Sequence, residues 1–131
     1  MTARWAAVVV AYDSGPLLAD CVASLLADTS ADGPPEVVVV DNGSSDGSVE
    51  ALEAAHPGVA VLRPGANLGI AATTAPIVAV VNPDALLVPG AAAALVARFD
   101  AEADLGAVGP QIREPDGSVY PSARRVPSTR D

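Results

Sequence analysis

Short apolar runs that each end in a polar cluster are the feature that most constrains the fold of this chain. The runs Trp5–Ala11, Glu36–Val40 and Ile77–Val81 are almost wholly apolar, as expected of strands buried on both faces of a sheet. Segments with apolar residues at helical spacing separate these runs. Strands that alternate with helices indicate a parallel sheet with helices on both faces. We therefore predict the α/β class, as a three-layer α/β/α arrangement with a mostly parallel central sheet, formed by residues 1–131 as a single domain.

Three further segments carry the pattern of a strand or a helix. They are a short strand at Val59–Leu62, a helix from about Gly90 to Phe99 and a strand at Leu105–Ile112. Asp116–Gly117 is a favourable hairpin turn that would connect the last of these strands to Val119–Tyr120.

Polar residues are expected to cap the first two helices. Ser14 precedes Gly15 and Pro16, and proline is tolerated in the first turn of a helix. Asp46 stands in the same place before the second helix. Cys21, the only cysteine, falls inside the first helical pattern and is expected to be a small buried apolar residue.

The formal net charge of −9 bears on the partners of the chain. An acidic surface repels phosphate backbones, so we expect no nucleic-acid partner. The apolar runs are far too short to cross a bilayer, and no signal-peptide pattern follows Arg4. We expect a cytoplasmic location, which is compatible with work at the inner face of a membrane.

Polar clusters follow three of the predicted strands at the point where each strand ends. They are Tyr12-Asp13, Asp41-Asn42-Gly43 and Asn82-Pro83-Asp84. In open parallel sheets ligands bind beyond the carboxyl ends of the strands, so these clusters predict one site. A carboxylate on a rigid strand tip, as at Asp41, can accept hydrogen bonds from a base or a ribose. One carboxylate, as at Asp84, is enough for Mg²⁺ or Mn²⁺ bridging two phosphates. Taken singly, each cluster is also typical of an ordinary turn.

Four motifs in order resemble family 2 glycosyltransferases across nearly the whole chain. They are Val-Val-Val-Ala-Tyr-Asp-Ser at 8–14, Val-Val-Asp-Asn-Gly-Ser-Ser-Asp-Gly-Ser at 39–48, Asn-Leu-Gly at 67–69 and Val-Asn-Pro-Asp at 81–84. The second motif is close to diagnostic. The likeness is greatest to rhamnosyltransferase-like members, which transfer deoxysugars from dTDP or UDP carriers.

The resemblance implies the GT-A fold and a role for each matched residue. Asp41 would contact the base, Asn82 would face the ribose or the sugar, and Asp84 would hold Mg²⁺ or Mn²⁺ on the diphosphate. The other implied nucleotide-sugar-binding residues are Ala11, Tyr12, Asp13, Asn42, Gly43 and Asn67. Arg124 or Arg125 would meet a phosphate or the acceptor, although a solvated charge explains these two arginines equally well.

The resemblance also implies an inverting bacterial glycosyltransferase of cell-wall or polysaccharide biosynthesis. The donor would be a dTDP- or UDP-sugar, for example dTDP-rhamnose. The acceptor would be a hydroxyl of a glycan or of a lipid-linked sugar, so the protein would be peripheral to the membrane. A carboxylate would deprotonate that hydroxyl as general base.

Two departures from the family pattern leave alternatives open. The Gly/Ala/Asn-rich stretch that usually follows Asn-Leu-Gly is missing after Gly69. It is either deleted or a mobile loop left out of this sequence, and we expect the second because a loop that covers substrate is mobile when empty. No residue matches the family's catalytic base, so the acceptor part is expected to be lacking. A non-catalytic nucleotide-sugar-binding module, or an inactive truncated fragment, is therefore the alternative function.

Two other nucleotide-binding classes fit the sequence less well. A nucleotidyltransferase would need a Gly-rich, Lys-containing phosphate loop, and the chain has no lysine. The Gly-x-Gly-x-x-Gly fingerprint of a dinucleotide site is absent after the first strand.

Overall fold

The fold, seen in a computed structural model that describes residues 2–63 and 69–122, is built on a parallel sheet. The strands are β1 (Trp5–Ala11), β2 (Glu36–Asp41), β3 (Ala60–Leu62) and β4 (Ile77–Val81), and the helices are α1 (Leu17–Ala27), α2 (Ser48–Ala55) and α3 (Ala91–Ala101). A 3₁₀ turn at Ile70–Ala72 precedes β4. The strands lie in the order β3-β2-β1-β4, and every pairing is parallel. The predicted α/β class and parallel sheet are confirmed.

The main core lies on one face of the sheet, between the strands and the three helices. The buried cluster combines odd-numbered strand residues, such as Val9 and Val39, with Leu18 of α1, Leu52 of α2 and Val96 of α3. The connections from β1 to β2 and from β2 to β3 step in the same direction across the sheet. Right-handed crossovers therefore place α1 and α2 on the same face.

The step from β3 to β4 runs the other way across the sheet, so the same handedness rule predicts that residues 69–76, before β4, lie on the opposite face. Gly69, in this connection, is buried against the even-numbered residues Val8 and Val40. An added Cβ on Gly69 would lie 2.5 Å from Cγ1 of Val8 and 2.7 Å from Cγ2 of Val40. Glycine at this position is therefore a packing requirement.

The predicted strand at Leu105–Ile112 is wrong. These residues form no ladder within the described part of the chain, and the predicted hairpin is reduced to an isolated antiparallel bridge between Arg113 and Val119. Gly117 makes the expected tight turn, with a φ of 85°. Glycine and proline at positions 109 and 110 explain the difference, because proline lacks the amide that a ladder needs.

The two predicted caps differ in detail from the structure. The prediction that Ser14 caps α1 is wrong. The helix begins after Pro16 without a side-chain cap, and Gly15, which lies between Ser14 and Pro16, adopts a positive φ of 56°. Asp46 lies one residue before the N-cap position of α2, yet its carboxylate still accepts the amide of Ser48 at 3.0 Å. No helix in the described ranges is long and apolar enough to span a membrane.

Candidate functional site

The three polar clusters lie beyond the carboxyl ends of three adjacent strands. Ala11 of β1 is the register partner of Asp41, the last residue of β2, and Val9 pairs with Val81, the last residue of β4. Because neighbouring strands are about 4.8 Å apart, the tips of β2 and β4 are separated by roughly 10 Å, with the tip of β1 between them. This separation suits a ligand larger than a single sugar ring.

Asp41 is a buried carboxylate held by its own turn. Its exposed fraction is only 4%, and the amide of Ser44 donates to Oδ1 at 2.8 Å. Burial pushes the pKa of Asp41 upward, but hydrogen bonds from the Ser44 hydroxyl and amide and from the Gly43 amide, with the charge of Arg63, lower it overall. Asp41 is therefore an ionised, oriented acceptor, since hydrogen bonds to the charged form favour it.

Hydrogen bonds join the loop after β1 to the loop after β2. Asp13 adopts a positive φ of 44°, its amide donates to the Ser44 hydroxyl at 3.1 Å, and its Oδ1 accepts the amide of Ser45 at 2.7 Å. The amide of Gly15 donates to Asp46 at 2.8 Å. The aspartate side chain compensates for a backbone region that few non-glycine residues occupy. Asp13 is thus placed as a support of the loop pair at the site.

Tyr12 is the most prominent apolar surface of the site. Its ring is 65% exposed at the tip of the central strand. Ala11 is fully buried, and its carbonyl accepts the amide of Asn42 at 2.9 Å. Asn42 and Gly43 are both exposed. The structure therefore offers an open aromatic face beside exposed backbone, with Ala11 beneath them.

Asn82 and Asp84 follow β4 on the other side of Tyr12. The Asn82 carbonyl accepts the amide of Ala85 at 3.1 Å and the thiol of Cys21 at 3.5 Å, which ties this turn to α1. Burial, and then the nearby charge of Asp84, raise the pKa of Cys21 to about 11. Cys21 is thus a buried neutral thiol, as expected.

The exposed carboxylate of Asp84 makes no hydrogen bond or ion pair with any described residue, so its oxygens are free to bind a ligand. No cluster of three or more acidic, histidine or cysteine side chains suited to a metal occurs in residues 2–63 and 69–122. A single hard oxygen ligand still fits Mg²⁺ or Mn²⁺ that takes its remaining ligands from phosphates and water.

Sequence reasoning missed Arg63, which follows β3 directly. Its Nη1 and Nη2 donate to the two carboxylate oxygens of Glu53 at 2.8 and 2.7 Å. Its Nη2 lies 3.7 Å from Glu50, and its Nε lies 3.6 Å from Oδ2 of Asp41. An arginine just past a strand that borders the site was the available signal. The pairing with α2 depends on the fold.

Two predicted ligand residues, Asn67 and Arg124, lie outside the described residues, as does Arg125. Two cavities are present elsewhere. One of about 470 Å³ lies at the amino ends of β2 and β3, lined by residues including Pro35 and His56. The other, of about 180 Å³, lies between β4 and α3. Neither cavity includes the residues of the three polar clusters.

Comparison with known proteins finds one family and several relatives. The model of the family described as Glycosyl transferase family 2 matches residues 6–129. The chain is 39% identical over 140 residues to the N-acetylglucosaminyl-diphospho-decaprenol L-rhamnosyltransferase of Mycobacterium tuberculosis, in each of two strains. The match covers 92% of this chain and 45% of the relative, so the chain spans less than half the length of these curated relatives.

Solved structures of S. aureus TarS share the fold. Crystal structures of its residues 1–349, alone and in complex with UDP-GlcNAc, each align with a TM-score of 0.61 at 20% identity. Each alignment covers 76% of this chain, and 33% and 32% of the two TarS chains respectively.

Proposed function

The chain belongs to glycosyl transferase family 2, and from this premise we propose that residues 1–131 form one domain that binds a nucleotide-diphospho-sugar for transfer to an acceptor hydroxyl. One observation carries the proposal. The buried, ionised Asp41 ends β2, and the exposed Asp84, free of described partners, lies three residues past the end of β4. The ends of these two strands are roughly 10 Å apart, and the exposed Tyr12 follows β1 between them. A nucleoside diphosphate could place its base beside Asp41 and Tyr12 and its diphosphate near Asp84.

The base would lie at the Asp41 end of the site. An ionised carboxylate only accepts hydrogen bonds, so it favours the imide N–H of uracil or thymine over cytosine, whose ring nitrogen is itself an acceptor. The exposed ring of Tyr12 offers a face on which a planar base can stack. A UDP- or dTDP-sugar is therefore the donor class that this end supports.

The diphosphate would lie at the Asp84 end. Asp84, exposed and free of described partners, would hold Mg²⁺ or Mn²⁺, which neutralises the negative charge that develops on the departing diphosphate. Asn82, also exposed, would hydrogen-bond to the ribose or the sugar. The chain has a net charge of −9, which repels an anionic donor. A cation held by Asp84 would reduce this repulsion.

Transfer would break the bond between the sugar's anomeric carbon and the diphosphate as an acceptor oxygen attacks that carbon. The sugar then passes through an oxocarbenium-like state. In an inverting reaction a carboxylate general base takes the acceptor's proton. No residue of this chain is assigned that role. Within the described residues, the groups proposed to bind and orient the donor are Tyr12, Asp41, Asn82 and Asp84, and Asp13 supports the loops that carry them.

The finer assignment of substrates follows the curated relative. That protein is named as an L-rhamnosyltransferase acting on N-acetylglucosaminyl-diphospho-decaprenol. By analogy, the donor here is a dTDP-sugar such as dTDP-rhamnose, and the acceptor is a lipid-linked sugar. The protein would then work in the cytoplasm at the inner face of the membrane.

Ligand binding tests this proposal directly. Thermal shift and calorimetry would compare UDP, dTDP, GDP and CDP, with and without Mn²⁺, for the wild type, Asp84→Asn and a control, Asp104→Asn. Asp104 is an exposed aspartate beyond α3. We expect UDP or dTDP with Mn²⁺ to raise the Tm of the wild type by several degrees, since a ligand at about 100 times its Kd adds about 2.7 kcal/mol.

Asp84→Asn should lose at least about tenfold of the Mn²⁺-dependent affinity, while Asp104→Asn should retain it. Absence of any nucleotide binding would refute the proposed function, and unchanged Mn²⁺ dependence in Asp84→Asn would refute the metal role. Binding without sugar transfer by the whole natural protein would favour the non-catalytic module.

A further inference from the structure

The guanidinium of Arg63 lies among three carboxylates at the base end of the site. Both of its terminal nitrogens donate to Glu53, at 2.8 and 2.7 Å, so the planar group has a fixed direction. That direction brings Nε to 3.6 Å from Oδ2 of Asp41. Glu53 belongs to α2 and Arg63 follows β3, so two elements jointly fix the position of this charge.

The distance between Nε and Oδ2 shows how Arg63 acts on Asp41. At 3.6 Å the pair is too long for a hydrogen bond, so the interaction is one of charge. The Asp41 carboxylate already accepts the amides of Gly43 and Ser44 and the hydroxyl of Ser44. A carboxylate has about four acceptor positions, so one position stays open beside these three donors.

The charge balance around Arg63 argues against a direct role in binding the diphosphate. Its single positive charge is surrounded by the carboxylates of Asp41, Glu50 and Glu53, at 3.6, 3.7 and 2.7 Å. One positive charge against three negative charges leaves the group locally anionic, which repels phosphate.

We infer that Arg63, aligned by Glu53, is a positioning residue for Asp41, and that its charge keeps the open acceptor of that buried carboxylate ready for the imide N–H of a uracil or thymine ring. This inference rests on the proposed function. Arg63 would thereby set the preference for the base without touching the base. Neutralising Arg63 would weaken recognition of the imide N–H, and it would have little effect on N3-methyl-UDP, in which a methyl group replaces that hydrogen.

The pH dependence of base recognition follows from the groups that face Asp41. They are Arg63 after β3 and Glu53 on α2. Glu50 on α2 lies beside Arg63, and the carboxylate of Asp13 in the adjoining loop is bonded to Ser45. Arg63 is the only cation among them. Arg63 lowers the pKa of Asp41 less than the hydrogen bonds from Ser44 and Gly43 do, and these bonds remain when it is removed. Its removal should still raise that pKa, so binding of an imide should fail at a higher pH than in the wild type.

The test compares UDP with N3-methyl-UDP, by calorimetry from pH 3 to 8, for the wild type, Arg63→Gln, Arg63→Lys and the control Arg98→Gln. Arg98 lies on α3, where it is paired with Glu102, away from the site. Circular dichroism would establish that each variant is folded. The double variant with Asp41→Asn completes a mutant cycle.

We expect Arg63→Gln to lower the ratio of UDP to N3-methyl-UDP affinity by about tenfold, the scale of one weakened hydrogen bond to a charged group. The pH at which UDP affinity falls should move upward. Arg63→Lys, which keeps the charge but not the fork that binds Glu53, should recover part of the loss. In the Asp41→Asn background Arg63→Gln should have no further effect on the ratio.

Equal losses for UDP and N3-methyl-UDP would assign Arg63 to the diphosphate and overturn the inference, as would an unchanged ratio and pH profile. A wild type that binds neither nucleotide would instead refute the proposed function, and the inference with it.

Discussion

The amino end of α3 is held by a carboxylate from a distant part of the chain, and Asp28→Ala tests how much this contact stabilises the fold. Gly90, the N-cap residue of α3, has no side chain that could cap the helix. Instead Oδ2 of Asp28 accepts the amide of Ala92 at 3.0 Å, and the Asp28 carboxylate also accepts the amide of Gly90. Ser30 adds a second link, since its hydroxyl accepts the amide of Ala93 at 3.1 Å.

The expected loss of stability follows from the burial of these groups. Asp28 is only 4% exposed and Ala92 only 3% exposed, so water cannot easily replace the carboxylate. A buried donor left without a partner costs about 1–3 kcal/mol. The negative charge at a helix amino end adds about 0.3–1 kcal/mol. We expect Asp28→Ala to lower the free energy of unfolding by about 2–4 kcal/mol. Asp28→Asn, which keeps an acceptor oxygen, should cost about 1 kcal/mol.

The effect of Asp28 should also depend on pH. Burial raises the pKa of its carboxyl, but hydrogen bonds from the Ser30 hydroxyl and from the amides of Ala92, Ser30 and Gly90 lower it overall. A pKa that is lower in the folded state than in the unfolded state, where it is about 3.9, gives stability that is present above about pH 4. That stability is lost as the pH falls through the folded-state pKa. The difference between wild type and Asp28→Asn should therefore shrink below about pH 4.

Urea denaturation followed by circular dichroism, from pH 3 to 7, measures both effects. Asp104→Asn serves as the control because Asp104 is exposed, and its variant should remain within about 0.5 kcal/mol of the wild type. If Asp28→Ala unfolds at the same urea concentration as Asp104→Asn, the carboxylate does not anchor α3 and the reasoning is refuted.

Two further predictions concern packing. Gly69→Ala should destabilise the fold by about 1–3 kcal/mol, because the new Cβ would lie 2.5 Å from Val8 and 2.7 Å from Val40. Gly58→Ala, where nothing lies within 4 Å, is the matched control, and equal unfolding midpoints for the two variants would contradict this. Cys21, whose pKa is raised to about 11 by burial and then by a nearby aspartate, should react with a thiol reagent at pH 8 only after unfolding. Rapid labelling of the native protein, monitored by mass spectrometry, would refute its burial.

The sequence determined the strands and the edge of the sheet at which the site lies. A strand buried on both faces must be apolar throughout, so the valine runs before Asp41 and Asn82 predicted β2 and β4. The expected burial is confirmed for β2 but is wrong for β4, which lies at an edge of the described sheet with Val80 65% exposed. Because the carboxyl ends of parallel strands meet at one edge, the same reasoning brought Tyr12, Asp41 and Asp84 together. These inferences needed only local patterns and one general rule of topology.

The tertiary structure decided what these residues contact at long range. The hydrogen bond from the Ala92 amide to Asp28 joins residues that are 64 positions apart in the sequence. The periodicity of apolar residues within a helix or strand does not predict such a partner. The same is true of Arg63, whose place beside Asp41 depends on how α2 packs near β3. Leu105–Ile112 has the apolar content of a strand, but the described chain gives it no neighbouring ladder. The periodicity of apolar residues indicates which face of a helix or strand is buried. Which residues contact each other at long range is decided only when the path of the whole chain brings two segments together.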